Sequence, residues 1–436
     1  MDVLSLVIFL ILIILAFIRK INIGILAFGA AMILGSVIGI SDKAIIGGFN
    51  SSLFVTLVGI TLLFAAVNST KAFELVSNKI IRLAGKRIWV LPIVVYVIGF
   101  ILAVIGPGAV PPTTLVVTLA VSIAVSSGYN PVMMGVTGVL GLMGGRAAAY
   151  TPEGVLISSL AQEQGLTSGV ILPVFVFSLV TTILMAIALY VVYKGYKVKQ
   201  PDLTFAADET GASKNQQGSA FAATEEKASK NQIIALLSVA CMLIAVVIFK
   251  LNVGLVSFLL ASVLFFFNIA DDSASIKSIP WGTIIMIAGV GILMSVVTEA
   301  GGITLLTEQL SKVMNSTTVA PFAGISAGLM SLVASGLGVV YPTMIPMASE
   351  LVSNVGGGNA VSVIAAIVAG GSIAGFSPMS TAGALTLGTM ATMKKDMTKE
   401  EQNKSFFQLM LIAICGILWV GISAAIFGNL LVRIFG

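Results

Sequence analysis

Histidine is absent from these 436 residues and cysteine occurs twice. Without histidine the chain has neither the commonest general base and metal ligand nor the Ser-His and Cys-His nucleophile pairs. Cys241 and Cys415 lie far apart inside apolar runs, which leaves no metal motif or disulfide framework and reads them as small core hydrophobes. Charge is also scarce. Charged residues make up 9% of the chain against 58% hydrophobic, where a soluble domain carries about 25% charged. No phosphate-cradling GxxxxGK[ST] loop occurs, so nothing supports nucleotide-driven chemistry. Together these absences exclude a water-soluble enzyme and predict neither a bound metal nor a resident cofactor.

What is present is apolar length, at a mean hydropathy of +1.09. Runs fall near 3–18, 21–40, 52–68, 88–127, 131–162, 168–195, 232–249, 251–269, 281–298, 318–354, 358–392 and 406–435. Most match the ~20 residues that one bilayer-spanning helix needs. The first run has no basic start and leads straight into a further span, so it reads as a retained helix. The runs 88–127 and 318–354 are about twice that length. Each is interrupted by glycine and proline, Gly106 to Pro112 and Ser335 to Pro342, and reads as two spans or as one re-entrant hairpin, of which the hairpin is taken.

Lysine and arginine concentrate on cytoplasmic loops near span ends. With the hairpin reading and both termini outside, 18 of the 23 Lys and Arg fall inside, four outside, and Arg146 within a span. The net charge of +5 is then a topology signal in an inner (plasma) membrane, not a nucleic-acid footprint.

The chain repeats itself. Lys20-Ile21-Asn22-Ile23-Gly24 returns as Lys250-Leu251-Asn252-Val253-Gly254, and the same spacing sets Gly59 on Gly289 and Gly108, Val110, Pro112 and Thr113 on Gly338, Val340, Pro342 and Thr343. Further on, Gly144-Gly145-Arg146 through Thr151-Pro152 aligns with Gly370-Gly371-Ser372 through Ser377-Pro378 at a slipped spacing. The expectation is an all-α polytopic membrane protein of two units, 1–198 and 232–436, joined by a polar cytoplasmic linker, 199–231. The linker contains a small tandem duplication, at 205–216 and 221–232, to which no transport role is assigned. Each unit holds five crossings plus one hairpin, and an odd number of crossings inverts the second unit. Inverted repeats with interrupted helices point to a secondary transporter whose site lies near the midplane. The segments 71–87 and 394–404 read as solvated or interfacial faces.

Irregular backbone survives at membrane depth only where protein or a wet cavity surrounds it. Four segments qualify. The hairpin tips supply the backbone of Gly108, Ala109, Val110, Gly338, Val339 and Val340, with Thr113, Thr114, Ser335, Tyr341 and Thr343. The broken helices, in 131–162 and 358–392, supply the backbone of Gly144, Gly145, Gly370 and Gly371, with Arg146, Tyr150, Thr151, Glu153, Ser377, Ser380 and Thr381. A half-helix restarting after a break turns its positive end to the site, which favours an anion. Arg146 has three readings: a fork for a substrate carboxylate, an internal pair with Glu153, or a side chain snorkelling to the surface. Glu153 is either a titrating proton carrier, the partner of Arg146, or an acid stabilising a helix start. The hydroxyls have a plainer reading as donors to the backbone four residues back, Glu350 as a solvated acid and the 18 methionines as packing.

Leu4 to Gly35, Gly144 to Pro152 and Gly370 to Thr381 resemble the ion transporter superfamily, which includes the divalent anion:sodium symporters and the MatC-type malonate/dicarboxylate carriers. The resemblance covers nearly the whole chain outside the linker. It implies a scaffold with a moving transport domain, elevator-like alternating access, a homodimer and a small organic anion as substrate, such as malonate or succinate. Family symporters carry Ser-Asn-Thr at the hairpin tips, where this chain reads Gly108-Ala109-Val110 and Gly338-Val339-Val340. That departure shifts carboxylate binding toward Arg146, backbone N–H groups and the later hydroxyls, and leaves the coupling ion open between Na⁺ and H⁺. The rival reading is a cation/proton or oxyanion antiporter on the same architecture.

Overall fold

In lipid a chain must satisfy its backbone internally, and a sequence this apolar does so through helices. The computed structural model describes residues 2–19, 21–76, 88–105, 110–198, 228–332, 334–393 and 397–436, and every regular element in them is helical. The first half runs α1 (Asp2–Arg19), α2 (Ile23–Ile38), α3 (Asp42–Gly47), α4 (Ser51–Ser69), α5 (Leu91–Val104), α6 (Val110–Ser127), α7 (Pro131–Gly145), α8 (Pro152–Gln162) and α9 (Ile171–Val192). The second half runs α10 (Lys230–Val247), α11 (Val253–Phe266), α12 (Asp272–Ser278), α13 (Trp281–Glu299), α14 (Gly302–Ser311), α15 (Val319–Ser331), α16 (Tyr341–Met344), α17 (Ala348–Asn354), α18 (Ala360–Ile373), α19 (Thr381–Met393), α20 (Lys399–Ser423) and α21 (Asn429–Phe435). Most of the linker, 199–227, lies outside the described residues. Helix α10 starts slightly before the expected boundary, at Lys230, because Ser229 and Gln232 close a capping box there.

Helix starts are set by short polar side chains. Asn22, Asn130, Asn252 and Asn359 each accept from a backbone N–H of the first turn of α2, α7, α11 and α18. Asn22 and Asn252 are 230 residues apart, Asn130 and Asn359 229. Among the described residues, five helical stretches are long and apolar enough to cross a bilayer, Ser51–Ser69 and Ile171–Val192 being two of them. By contrast α5 has 14 residues and α15 has 13, short of the ~20 required for a full crossing.

Glycines decide which helices touch. A Cβ on Gly289 would overlap the Gly24 carbonyl oxygen, and a Cβ on Gly59 would overlap the Gly254 carbonyl oxygen. These contacts hold α2 against α13 and α4 against α11, two of the larger helix pairings in the molecule. Small residues let backbones approach this closely, and the gain is packing that lipid cannot supply. The most extensive pairings are α5 with α7 and α15 with α18. There a Cβ on Gly141 would strike the Tyr96 carbonyl, and one on Gly370 the Gly324 carbonyl.

The outer surface keeps its apolar side chains. Ile187, Leu259, Phe266 and Leu411 are each more than half exposed. Cys241 and Cys415 are exposed too, which corrects the reading of them as core residues. An apolar run gives no inside or outside until the helix is docked, and both cysteines sit on outward faces.

Candidate functional site

Helix α7 is buried along its length and stops at Gly145. Arg146 still donates its backbone N–H to Leu142, and the chain then turns, because Pro152 cannot continue the hydrogen-bond ladder and restricts the residue before it. Thr151 restarts the helix. Its hydroxyl accepts from Gly154 N (3.0 Å) and donates to the carbonyls of Ala148 (2.8 Å) and Arg146. Gly154 lies so close over the Ala148 carbonyl that no side chain fits.

The second break repeats this arrangement. Ser380 donates to the carbonyls of Ser377 (2.8 Å) and Gly375, and Gly383 lies over the Ser377 carbonyl. Thr151 therefore corresponds to Ser380, a spacing of 229, and Arg146 and Glu153 correspond to Gly375 and Ala382. The slipped match of Thr151-Pro152 with Ser377-Pro378 differs from this geometry by three residues. The charged pair has no counterpart in the second half.

That pair is made. An Arg146 Nη2 donates to a Glu153 Oε1 across the break, with the acid side chain 7% exposed and the guanidinium 21%. Glu153 occupies the first turn of α8, where the helix dipole favours an acid. Of the three readings of Arg146, the internal pair is the state seen in this structure.

Both side chains line a cavity of ≈850 Å³, within the size range of small-molecule sites. Thr113, Ser335, Val339, Tyr341, Gly371, Ser380 and Thr381, all expected from the sequence, line it with them. Several of these hydroxyls are already engaged: Tyr341 donates to the Val368 carbonyl (3.0 Å) and pairs with Ser372 Oγ (2.6 Å), and Ser335 accepts from Gly338 N (3.1 Å). Ser331 donates to the Gly371 carbonyl (2.6 Å). The chain around Ser331 and Tyr341 is thereby tied to α18 on the second-half side.

Other expected residues point elsewhere. Thr114 is exposed and Tyr150 half-buried, and neither lines the cavity. Thr343 is buried and donates to the Val339 carbonyl (2.7 Å). Ser377 is fully buried behind the break, its hydroxyl without a partner. Gly144, Gly145 and Gly370 are buried helix-packing positions, and Gly338 and Val340 face away from the space, Gly338 against Met286. Gly108 and Ala109 lie outside the described residues, as does the side chain of Val110.

Sequence reasoning missed the far wall. Asn22, Thr283 and Met286 line the cavity from α2 and α13, the former donating through its side-chain amide to the Gly282 carbonyl (2.7 Å). The repeated Lys-x-Asn-x-Gly run marked Asn22, but only as a helix start. Among the described residues that line it, Arg146 is the sole cation and Glu153 the sole acid. Helix α19 begins at the same cavity through Ser380, Thr381 and Ala382 and carries no acid in its first turn. Its positive end is unmatched, whereas that of α8 is met by Glu153.

A second cavity, ≈770 Å³, lies between the start of α4, the end of α8 and the far part of α13. Its charged lining residues are Glu163 and Glu299, with no lysine or arginine, and Asn50 bridges to Ser159 (2.9 Å) and Glu163 (3.2 Å) beside it. Among the described residues, only the first of the two cavities has a cation in its lining.

Comparison with known proteins gives one family and one fold. The family model described as CitMHS, citrate transporter, matches residues 10–371. No curated protein sequence shows a significant match. Among solved structures the chain is similar to the YdaH transporter of Alcanivorax borkumensis, described as having an unusual topology, at 13% identity and a TM-score of 0.58, covering 95% of this chain and 98% of that one. At that identity the likeness speaks to fold alone.

Proposed function

Because the chain belongs to the CitMHS citrate transporter family, a family of membrane transporters for citrate- and dicarboxylate-type anions, we propose that it carries a small di- or tricarboxylate at the cavity built on Arg146. The observation that carries this reading is Arg146 itself, the one cation among the described residues lining an ≈850 Å³ cavity where two half-helices begin. A guanidinium fork matches a carboxylate in two parallel hydrogen bonds. The start of α19, with no acid of its own, suits a second carboxylate at the other end of the ligand. The substrate class is C3–C4 dicarboxylates of the malonate and succinate kind together with citrate, moved by cation-coupled, elevator-like alternating access.

The two halves act as inverted repeats. Support comes from the contacts Gly24 with Gly289 and Gly254 with Gly59, which are one contact with the halves exchanged. The bias of Lys and Arg supports both termini outside an inner membrane, the linker inside, and the short arms α5 and α15 as parts of re-entrant hairpins. The homodimer implied by the family resemblance stays part of this proposal. A cation/proton antiporter is disfavoured, since the one acid among the described residues at the cavity is held by Arg146.

Uptake of labelled citrate, malonate and succinate into proteoliposomes, under an imposed Na⁺ gradient and an imposed pH gradient run separately, tests the reading. Saturable uptake that follows either gradient supports it. No uptake of the three under both gradients overturns it.

A further inference from the structure

We propose that Leu57, Leu156, Ile287 and Pro342 form an apolar barrier one side chain deep between the two cavities, and that opening it turns the protein into a passive pore for small inorganic ions. This goes beyond the carrier reading and stands whichever anion is carried.

The two cavities lie toward opposite ends of α13, one of the helices long and apolar enough to cross a bilayer. Thr283, near its start, lines the ≈850 Å³ cavity, and Thr298 and Glu299, at its end, line the ≈770 Å³ one. From Thr283 to Glu299 the helix rises about 24 Å, most of the ~30 Å hydrocarbon thickness of a bilayer. Each cavity reaches the surface of the molecule, the first at the exposed Ile18 and Ile21, the second at the exposed Thr298 and Glu299. Between them the walls change over abruptly. On α13, Met286 lines the first cavity and its neighbour Ile287 the second. At the start of α16, Tyr341 lines the first and Pro342 the second. On α8, Glu153 lines the first and Leu156 the second, a step of about 4.5 Å along the helix. One layer of side chains therefore separates the two spaces.

That layer is closed around its circumference. Helix α4 packs on α8, α8 on the turn Ile345–Met347 that continues α16, α16 on α13, and α13 back on α4. Each of the four helices contributes one buried apolar side chain to the wall of the second cavity at this level: Leu57 from α4, Leu156 from α8, Pro342 from α16 and Ile287 from α13. Leu57 is the residue of α4 lining that cavity farthest from the helix start, and Leu156 the earliest such residue of α8. An apolar constriction stops ions by expelling water, so it needs no charge of its own. Two polar ties hold the ring shut. Asn50, at the start of α4, donates to Ser159 (2.9 Å) and Glu163 (3.2 Å) on and just beyond α8. The Tyr341 hydroxyl, bonded to Val368 and Ser372, fixes the residue next to Pro342.

The test is ion release from proteoliposomes holding the full-length protein with no organic anion present. Release of trapped K⁺ is followed with the counter-charge carried by a protonophore, and release of trapped Cl⁻ with it carried by valinomycin. Wild type is expected to hold both ions as well as protein-free vesicles do. Leu156→Ala takes a side chain out of the layer and is expected to release one or both ions at least about tenfold faster than wild type. Leu63→Ala truncates an equally buried leucine of α4 that lines neither cavity and should stay tight. Ile287→Thr, close to the original in size but polar, should leak as well, and it decides the matter if Leu156→Ala does not fold. Release by wild type itself, tight vesicles from a folded Leu156→Ala, or an equal leak from Leu63→Ala overturns the inference. Carboxylate uptake under the imposed gradients is read separately, so a failure here leaves the carrier reading standing.

Discussion

Thr151 and Ser380 stand at the starts of two different half-helices in the same way, each donating its hydroxyl to the carbonyl five residues back and to the one three back. These bonds tie each half-helix start to the turn before it. Thr151→Val removes the acceptor for Gly154 N and both donated bonds and is expected to cost about 1–2 kcal/mol. Thr151→Ser keeps the hydroxyl and should melt close to wild type. Thermal unfolding of the two variants side by side checks the difference.

Arg146→Ala is expected to abolish anion binding and to destabilise the protein as well, since it leaves Glu153 buried and unpaired, a loss of roughly 3–5 kcal/mol. The double variant Arg146→Met/Glu153→Met should recover most of the stability and none of the binding. Melting temperature and ligand titration on the same samples separate the two effects. Wild-type affinity in a folded Arg146→Ala would remove this residue from the binding site.

Tyr341→Phe deletes the hydroxyl that joins α16 to Val368 and Ser372. A buried carbonyl and a serine lose a partner, at about 1–3 kcal/mol. Because the ring remains, the cavity keeps its volume, so ligand affinity should fall less than stability does. Denaturation and titration of the purified variant give both numbers.

Gly338 rests on Met286, so that a Cβ added there would run into the Met286 sulfur. Gly338→Ala is therefore expected to impair transport through overpacking, typically about 1–3 kcal/mol. Shortening the partner in Gly338→Ala/Met286→Ala should restore activity in the uptake assay. Failure of the second change to rescue the first would show that the contact does not limit the tip.

Much of the scaffold was legible because each of its features leaves a local mark. Apolar length gives the spans, and the glycine-proline interruptions mark where helices stop. The register of the second break was not legible. Gly144-Gly145 and Gly370-Gly371 look alike, yet the first pair packs α7 against its neighbours at its very end while Gly370 takes the position of Gly141, one turn earlier. The hydroxyl that caps, Ser380, is then three residues beyond Ser377, which Pro378 made the apparent match for Thr151. Side-chain direction was equally hidden. Tyr150 and Thr151 lie between Arg146 and Glu153 in sequence, yet neither lines the cavity with them. The wall formed by Asn22, Thr283 and Met286 depends on how α2 crosses α13, which is settled by Gly24 meeting Gly289 and by nothing near the breaks.

The spacing of 229 to 230 between matched positions has a consequence for tolerance to change across the whole chain. Residues that pack do so twice: Gly24 and Gly254, Gly59 and Gly289, Gly154 and Gly383, Thr151 and Ser380. Arg146 and Glu153 stand opposite Gly375 and Ala382 and have no twin. A saturation scan scored on folded yield should show its sensitive positions in couples at that spacing, whereas one scored on transport should add two solitary peaks, at 146 and 153.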